Sequence, residues 1–160
     1  MVEHGHLDEV RLQARGGDWY CARAWSQALI EQDERDAALD VLVPFVDAEW
    51  WRATEVVADL LDGWGRTDEA IALARPHADA GEQLALEYLA RLLTRHGCGD
   101  EAFGLLGPHT KDWFLAEELV DVTGGLDRDE EVADLLIPHV EALRVARRTL
   151  KRREAVGHGT

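Results

Sequence analysis

The sequence predicts an all-α fold, an α-solenoid of about four helix–turn–helix repeats. Three observations carry that reading. All four prolines of the 160-residue chain fall in step: Pro44, Pro76 and Pro108 are each 32 residues apart, and Pro138 follows after 30. Eight residues ahead of each proline a related triplet begins, namely Asp36-Ala37-Ala38, Asp68-Glu69-Ala70, Asp100-Glu101-Ala102 and Glu130-Glu131-Val132. Further upstream, three columns keep the same register: Trp25, Val57, Leu89 and Leu119; Ser26, Ala58, Ala90 and Val120; Leu29, Leu61, Leu93 and Thr123. The last repeat stays aligned if its two missing residues come out of the connection between Pro108 and Trp113, where deletions cost little.

Residues 1–17 read as an N-terminal tail with a partial capping helix over Leu7 to Ala14, where Asp8-Glu9-Val10 echoes the triplets. Residues 18–143 form the repeat domain. The second repeat shows its logic: Ala53, Thr54, Val57, Ala58, Leu60 and Leu61 recur at one, three and four residues, which gathers them on one face of a helix from about Glu49 to Asp62. Gly63-Trp64-Gly65 then breaks that helix, with equivalent breaks at Gln32-Asp33-Glu34, His96-Gly97-Cys98-Gly99 and Gly124-Gly125. Thr67 or Asp68 is placed to cap the second helix, which opens with Ala70, Ile71 and Leu73. Pro76 removes a donor and crowds the carbonyl four residues back, so a kink or an end is expected near Arg75. At the C-terminus a helix is expected from Glu130 to about Glu154, kinked at Pro138, with residues 144–160 forming its basic end and a frayed tail.

The net charge of −15 divides unevenly. Residues 144–160 carry six basic side chains and one acidic one; taking these from totals of 17 and 32 leaves 11 basic and 31 acidic residues, a charge of −20, on residues 1–143. So acidic a body repels a phosphate backbone, which argues against nucleic-acid binding there and favours a basic protein or peptide partner. No run approaches the ~20 apolar residues of a membrane helix, and the N-terminus lacks the apolar stretch of a secretory signal, so a cytoplasmic setting is expected. Cys21 and Cys98 sit at non-equivalent positions and read as one buried and one loop thiol, both reduced. Fifteen arginines against two lysines, with no asparagine, match the codon bias of a high-GC bacterial genome.

The columns resemble those of the tetratricopeptide repeat. Leu89, Ala90 and Leu93 followed by Ala102 and Leu106 keep that family's order of large, small and large apolar residues, as do Val57, Ala58, Leu61, Ala70 and Ala74. The resemblance covers residues 18 to 143, with a period of 32 instead of the family's usual 34 and the proline inside the second helix. It implies paired antiparallel helices, a concave groove lined by the first helices and a protein-interaction role.

Little in the chain points to catalysis, a cofactor or a metal. The single serine, Ser26, occupies the small-residue column and is expected to pack. His77, His109 and His139 each follow a repeat proline, yet neighbouring repeats ~10 Å apart are too distant for shared ligation. Trp19, Trp51 and Trp113 share a column, completed by Gln83, that suits packing between repeats; Trp50 and Trp64 fall off the core columns and are candidates for exposure. The columns the core leaves unclaimed on the first helices supply the expected partner-binding residues: Tyr20, Arg52 and Phe114, with Leu84; Arg23, Glu55, Glu87 and Glu117; Asp59, Arg91 and Asp121, with Gln27; and Tyr88, with Glu118 beside it. This face is mostly acidic with aromatic edges and suits a basic peptide. Two other functions are open on the same residues: self-association driven by the basic C-terminal helix, and a small-ligand or catalytic site in the groove.

Overall fold

The computed structural model describes residues 2–124, 128 and 130–141, for residues 2–7 as backbone alone. It is all-α. In chain order the helices are α1 (Val2–Arg15), α2 (Trp19–Glu31), α3 (Arg35–Asp47), α4 (Trp51–Gly63), α5 (Thr67–Asp79), α6 (Gln83–Arg95), α7 (Gly99–Leu106) with a 3-10 turn at Gly107–His109, and α8 (Trp113–Thr123). Residues 130–141 are also helical. Among the described residues no helix is long and apolar enough to cross a membrane. The chain divides into two compact units, Met1–Pro76 and His77–Thr160.

The helices start at residues 19, 35, 51, 67, 83 and 99, so the structural period is 16 residues, half of what the prolines mark. The six connections from α1 to α7 share one pivot. The N–H groups of Gly17, Asp33, Glu49, Gly65, Gly81 and Gly97 each donate to the carbonyl three residues back, and those of Asp18, Glu34, Arg66, Glu82 and Cys98 to the carbonyl five back. That pairing closes five of the helices with a Schellman motif, while ahead of α4 only the bond from Glu49 is made; the pivot residue takes a positive φ in all six. Glycine fills the pivot four times, while Asp33 and Glu49 hold it at φ 62° and 54°.

The residue after each pivot is also the cap of the next helix. The carbonyls of Asp18, Glu34, Trp50, Arg66, Glu82 and Cys98 accept from the N–H groups of Ala22, Ala38, Thr54, Ala70, Leu86 and Ala102, all six buried. Asp18 adds a side-chain cap, its Oδ1 accepting from the Cys21 N–H at 2.8 Å, and this bond holds its carboxyl below the usual range. Thr67 is the first residue of α5 and donates its hydroxyl to Asp62 at 2.8 Å, so the capping carbonyl belongs to Arg66 and not to Thr67 or Asp68.

Within the first unit α1 packs on α2, α2 on α3 and α3 on α4. Within the second, α6 packs on α7 and α7 on α8, and α6 also meets α8 directly. Ser26, Leu42, Ala58, Ala74, Ala90 and Leu106 form a second set of buried positions at 16-residue spacing, small on α2, α4, α5 and α6 and filled by leucine on α3 and α7. Val120 closes the small-residue column read from the sequence but is exposed. Its counterpart Ser26 lies between α3 and the next first helix, α4, whereas among the described residues no further first helix follows α8.

The prolines behave in two ways. Pro44 and Pro76 lie inside α3 and α5, which run on to Asp47 and Asp79, so α5 does not end near Arg75. In the shorter α7 the α-helix stops at Leu106, and Pro108 sits in the 3-10 turn that follows. Residues 130–141 are helical, as expected for that segment; the stretch from residue 142 to Glu154 falls outside the described residues. Cys21 is half-buried, not buried. Its thiol lies 3.2 Å from the Gln13 side-chain oxygen, and partial burial beside Asp18 pushes it up from the ordinary thiol range.

Candidate functional site

The expected partner-binding residues fall into two sets, one per unit. In the first unit Tyr20 is 81% exposed near the start of α2, and Arg23 and Asp59 are exposed on α2 and α4. Arg52 pairs with the half-buried Glu55 one turn on, at 3.3 Å. Arg23, Gln27 and Asp59 meet at a cleft of about 180 Å³ between α2, α3 and α4, floored by Leu42 and Ser26. A second opening, about 490 Å³, lies between α3, α4 and α5 and is lined by Leu39, Val43, Val46 and Leu73; it is largely apolar and belongs to the second-helix side.

In the second unit an ion-pair cluster joins α6 to α8. The Arg91 guanidinium donates from Nε and Nη2 to both oxygens of Glu118 at 2.8 Å, and Nη2 also lies 2.8 Å from Glu87. Glu118 is only 4% exposed, while the Arg91 side chain is 57% exposed. The bidentate bond to Glu118 raises the Arg91 pKa further above its ordinary value, with Glu87 and Asp121 contributing. Glu87 and Arg91 are thus engaged in holding two first helices together. Tyr88 and Phe114 are half-buried, and Glu117 and Asp121 face solvent.

Comparisons of the chain with protein-family models, with curated proteins and with solved structures give no match. The site's chemistry rests on the geometry alone.

The tryptophan column splits. Trp51 is buried and Trp19 half-buried, packed edge-on against Phe45 at 5.3 Å and Trp50 at 4.9 Å between ring centroids, whereas Trp113 is 72% exposed. Trp50 is exposed as expected, but Trp64 is half-buried under the Arg35 guanidinium, 5.5 Å from its ring. His77 lies 2.7 Å from Glu82, and His139 3.3 Å from the Thr110 hydroxyl. Among the described residues no three His, Cys, Asp or Glu side chains gather into a metal-binding group. Sequence reasoning placed Glu118 beside the face and missed its burial. The available signal was the 30-residue offset of the last repeat, which puts Glu118 opposite position 88, one turn from Arg91.

Proposed function

We propose that the chain is a protein-interaction module on the plan of the tetratricopeptide repeat, working in the cytoplasm by binding and not by catalysis. Its first helices present an acidic, aromatic-edged surface to a basic peptide or protein. The observation that carries this reading is the set of first-helix side chains left uncovered by the core: Tyr20, Arg23 and Asp59 in one unit, Glu117 and Asp121 in the other. Coulombic attraction from a body of charge −20 speeds encounter with a basic partner and disfavours acidic ones. An exposed tyrosine is a fitting anchor, since aromatic side chains dominate many interfaces.

The test is charge reversal at Glu55, Glu117 and Asp121 together. Glu87 is left in place because it holds Arg91. Loss of captured basic proteins from lysate, with helicity unchanged, supports the reading; recovery of the same proteins contradicts it. The charge asymmetry favours a second reading, in which the six basic side chains of residues 144–160 draw one copy onto the acidic body of another. Light scattering that finds a monomer at both low and high salt excludes that assembly.

A further inference from the structure

Two positions in the first repeat break the column pattern, and both residues line the same cleft between α2, α3 and α4. The first is Ser26, the one polar residue in a column otherwise made of Ala58, Ala90 and Val120. It is 2% exposed, and its Oγ has no hydrogen-bond partner among the described residues. Burying a hydroxyl unpaired is costly, and alanine packs in the equivalent places at no such cost. The second is Arg23, the one cation in a column otherwise made of Glu55, Glu87 and Glu117. Despite the excess of carboxylates, Arg23 has no ion-pair or hydrogen-bond partner among the described residues.

The cleft is about 180 Å³, comparable to cavities of ~150 Å³ that take up a benzene-sized molecule. Ile30, Val56 and Leu60 give it apolar walls, and among its lining residues are one carboxylate, Asp59 on α4, and one guanidinium, Arg23 on α2. Fixed charges of opposite sign beside an apolar wall suit a small zwitterion. A pure anion meets Asp59, and a pure cation meets Arg23.

We propose that this cleft binds a free α-amino acid with a branched aliphatic side chain. Arg23 takes the α-carboxylate. The ammonium has three donors and gives one to Asp59 and one to the Ser26 hydroxyl, which turns on its χ1 bond to accept it. The aliphatic side chain lies against Ile30, Val56 and Leu60. The cleft shares Arg23 and Asp59 with the proposed partner-binding surface, but the two readings are tested apart, because the charge reversals that test the latter leave Arg23, Ser26 and Asp59 unchanged.

Calorimetric titration of the full chain with L-leucine and L-valine tests it, with isoamylamine and isocaproate as probes that lack the carboxylate or the ammonium. Saturable binding of leucine or valine is expected, with each probe at least about tenfold weaker than leucine. Arg23→Ala and Ser26→Ala should each weaken leucine binding by about tenfold. Ser26→Ala keeps the fold, since alanine fills the equivalent positions, so its loss of binding is not a loss of structure. No saturable heat with either amino acid, probes that bind as tightly as leucine, or affinity unmoved by Arg23→Ala overturns the proposal.

Discussion

Replacing Glu49 by glycine should stabilise the protein. Glu49 stands at φ 54° in the pivot position that Gly65 and Gly97 occupy at φ 78° and 80°. A side chain in this left-handed region costs about 1–2 kcal/mol. Glycine avoids that cost but loses about 0.5–1 kcal/mol more backbone entropy on folding. The balance favours Glu49→Gly by roughly 0.5–1 kcal/mol, and Glu49 is exposed, so no core contact is lost. Asp33→Gly should gain less: aspartate tolerates this conformation, and its exposed pair with Arg35 at 3.3 Å goes. Thermal unfolding reads the effect. If the chain melts as one, Tm rises by about 1–4 °C; if the Met1–Pro76 unit melts alone, by about 2–8 °C. The reverse change, Gly65→Ala, meets no atom within 4 Å of the new Cβ, so its loss of about 1 kcal/mol reports backbone strain alone. A lower Tm for Glu49→Gly, or a silent Gly65→Ala, would refute the shared pivot geometry.

Three further outcomes are expected. Arg91→Ala strands the buried Glu118 carboxylate; because Arg91 itself is half exposed, the loss should fall near or below the low end of the ~3–5 kcal/mol range for broken buried pairs, with Glu118→Gln milder, as denaturant midpoints will show. The Asp18 carboxyl is held below its ordinary value by the Cys21 N–H, so its contribution is present above the unfolded carboxylate pKa and lost as pH falls through the folded one; Asp18→Ala should lower Tm at neutral pH and flatten the acid side of the Tm profile. Pro44→Ala removes an exposed helix-interior proline and, after the unfolded chain regains freedom, should stabilise α3 by about 2–2.5 kcal/mol, seen as slower amide exchange across Asp40 to Asp47.

The repeat and its core columns were legible because apolar spacing is the strongest signal a helix leaves in sequence. The halved period was not. Prolines and tryptophans mark alternate helices, and they drew attention to 32 residues while Ala22, Ala38, Thr54, Ala70, Leu86 and Ala102 recur every 16. One pivot hid for a related reason: the break at Asp33 was read from its place in the repeat, but Glu49 stands where glycine would have announced the turn. On the expected binding face, charge and spacing picked out first-helix positions but did not separate solvent-facing carboxylates from those spent on structure. Glu87 and Glu118 look like Glu117 in sequence, and only the approach of α8 to α6 sets them apart. The Ser26 and Arg23 exceptions were visible in the columns. Their meeting at one cleft required the placement of α3 and α4.

The central claim, an acidic first-helix surface that takes up a basic partner, is tested most directly by fluorescence anisotropy of a peptide library graded in net charge, read at low and high salt. Affinity rising with positive charge, falling with salt and lost on reversal of Glu55, Glu117 and Asp121 is the expected result. Binding that ignores peptide charge, or that survives the reversal, would contradict the account.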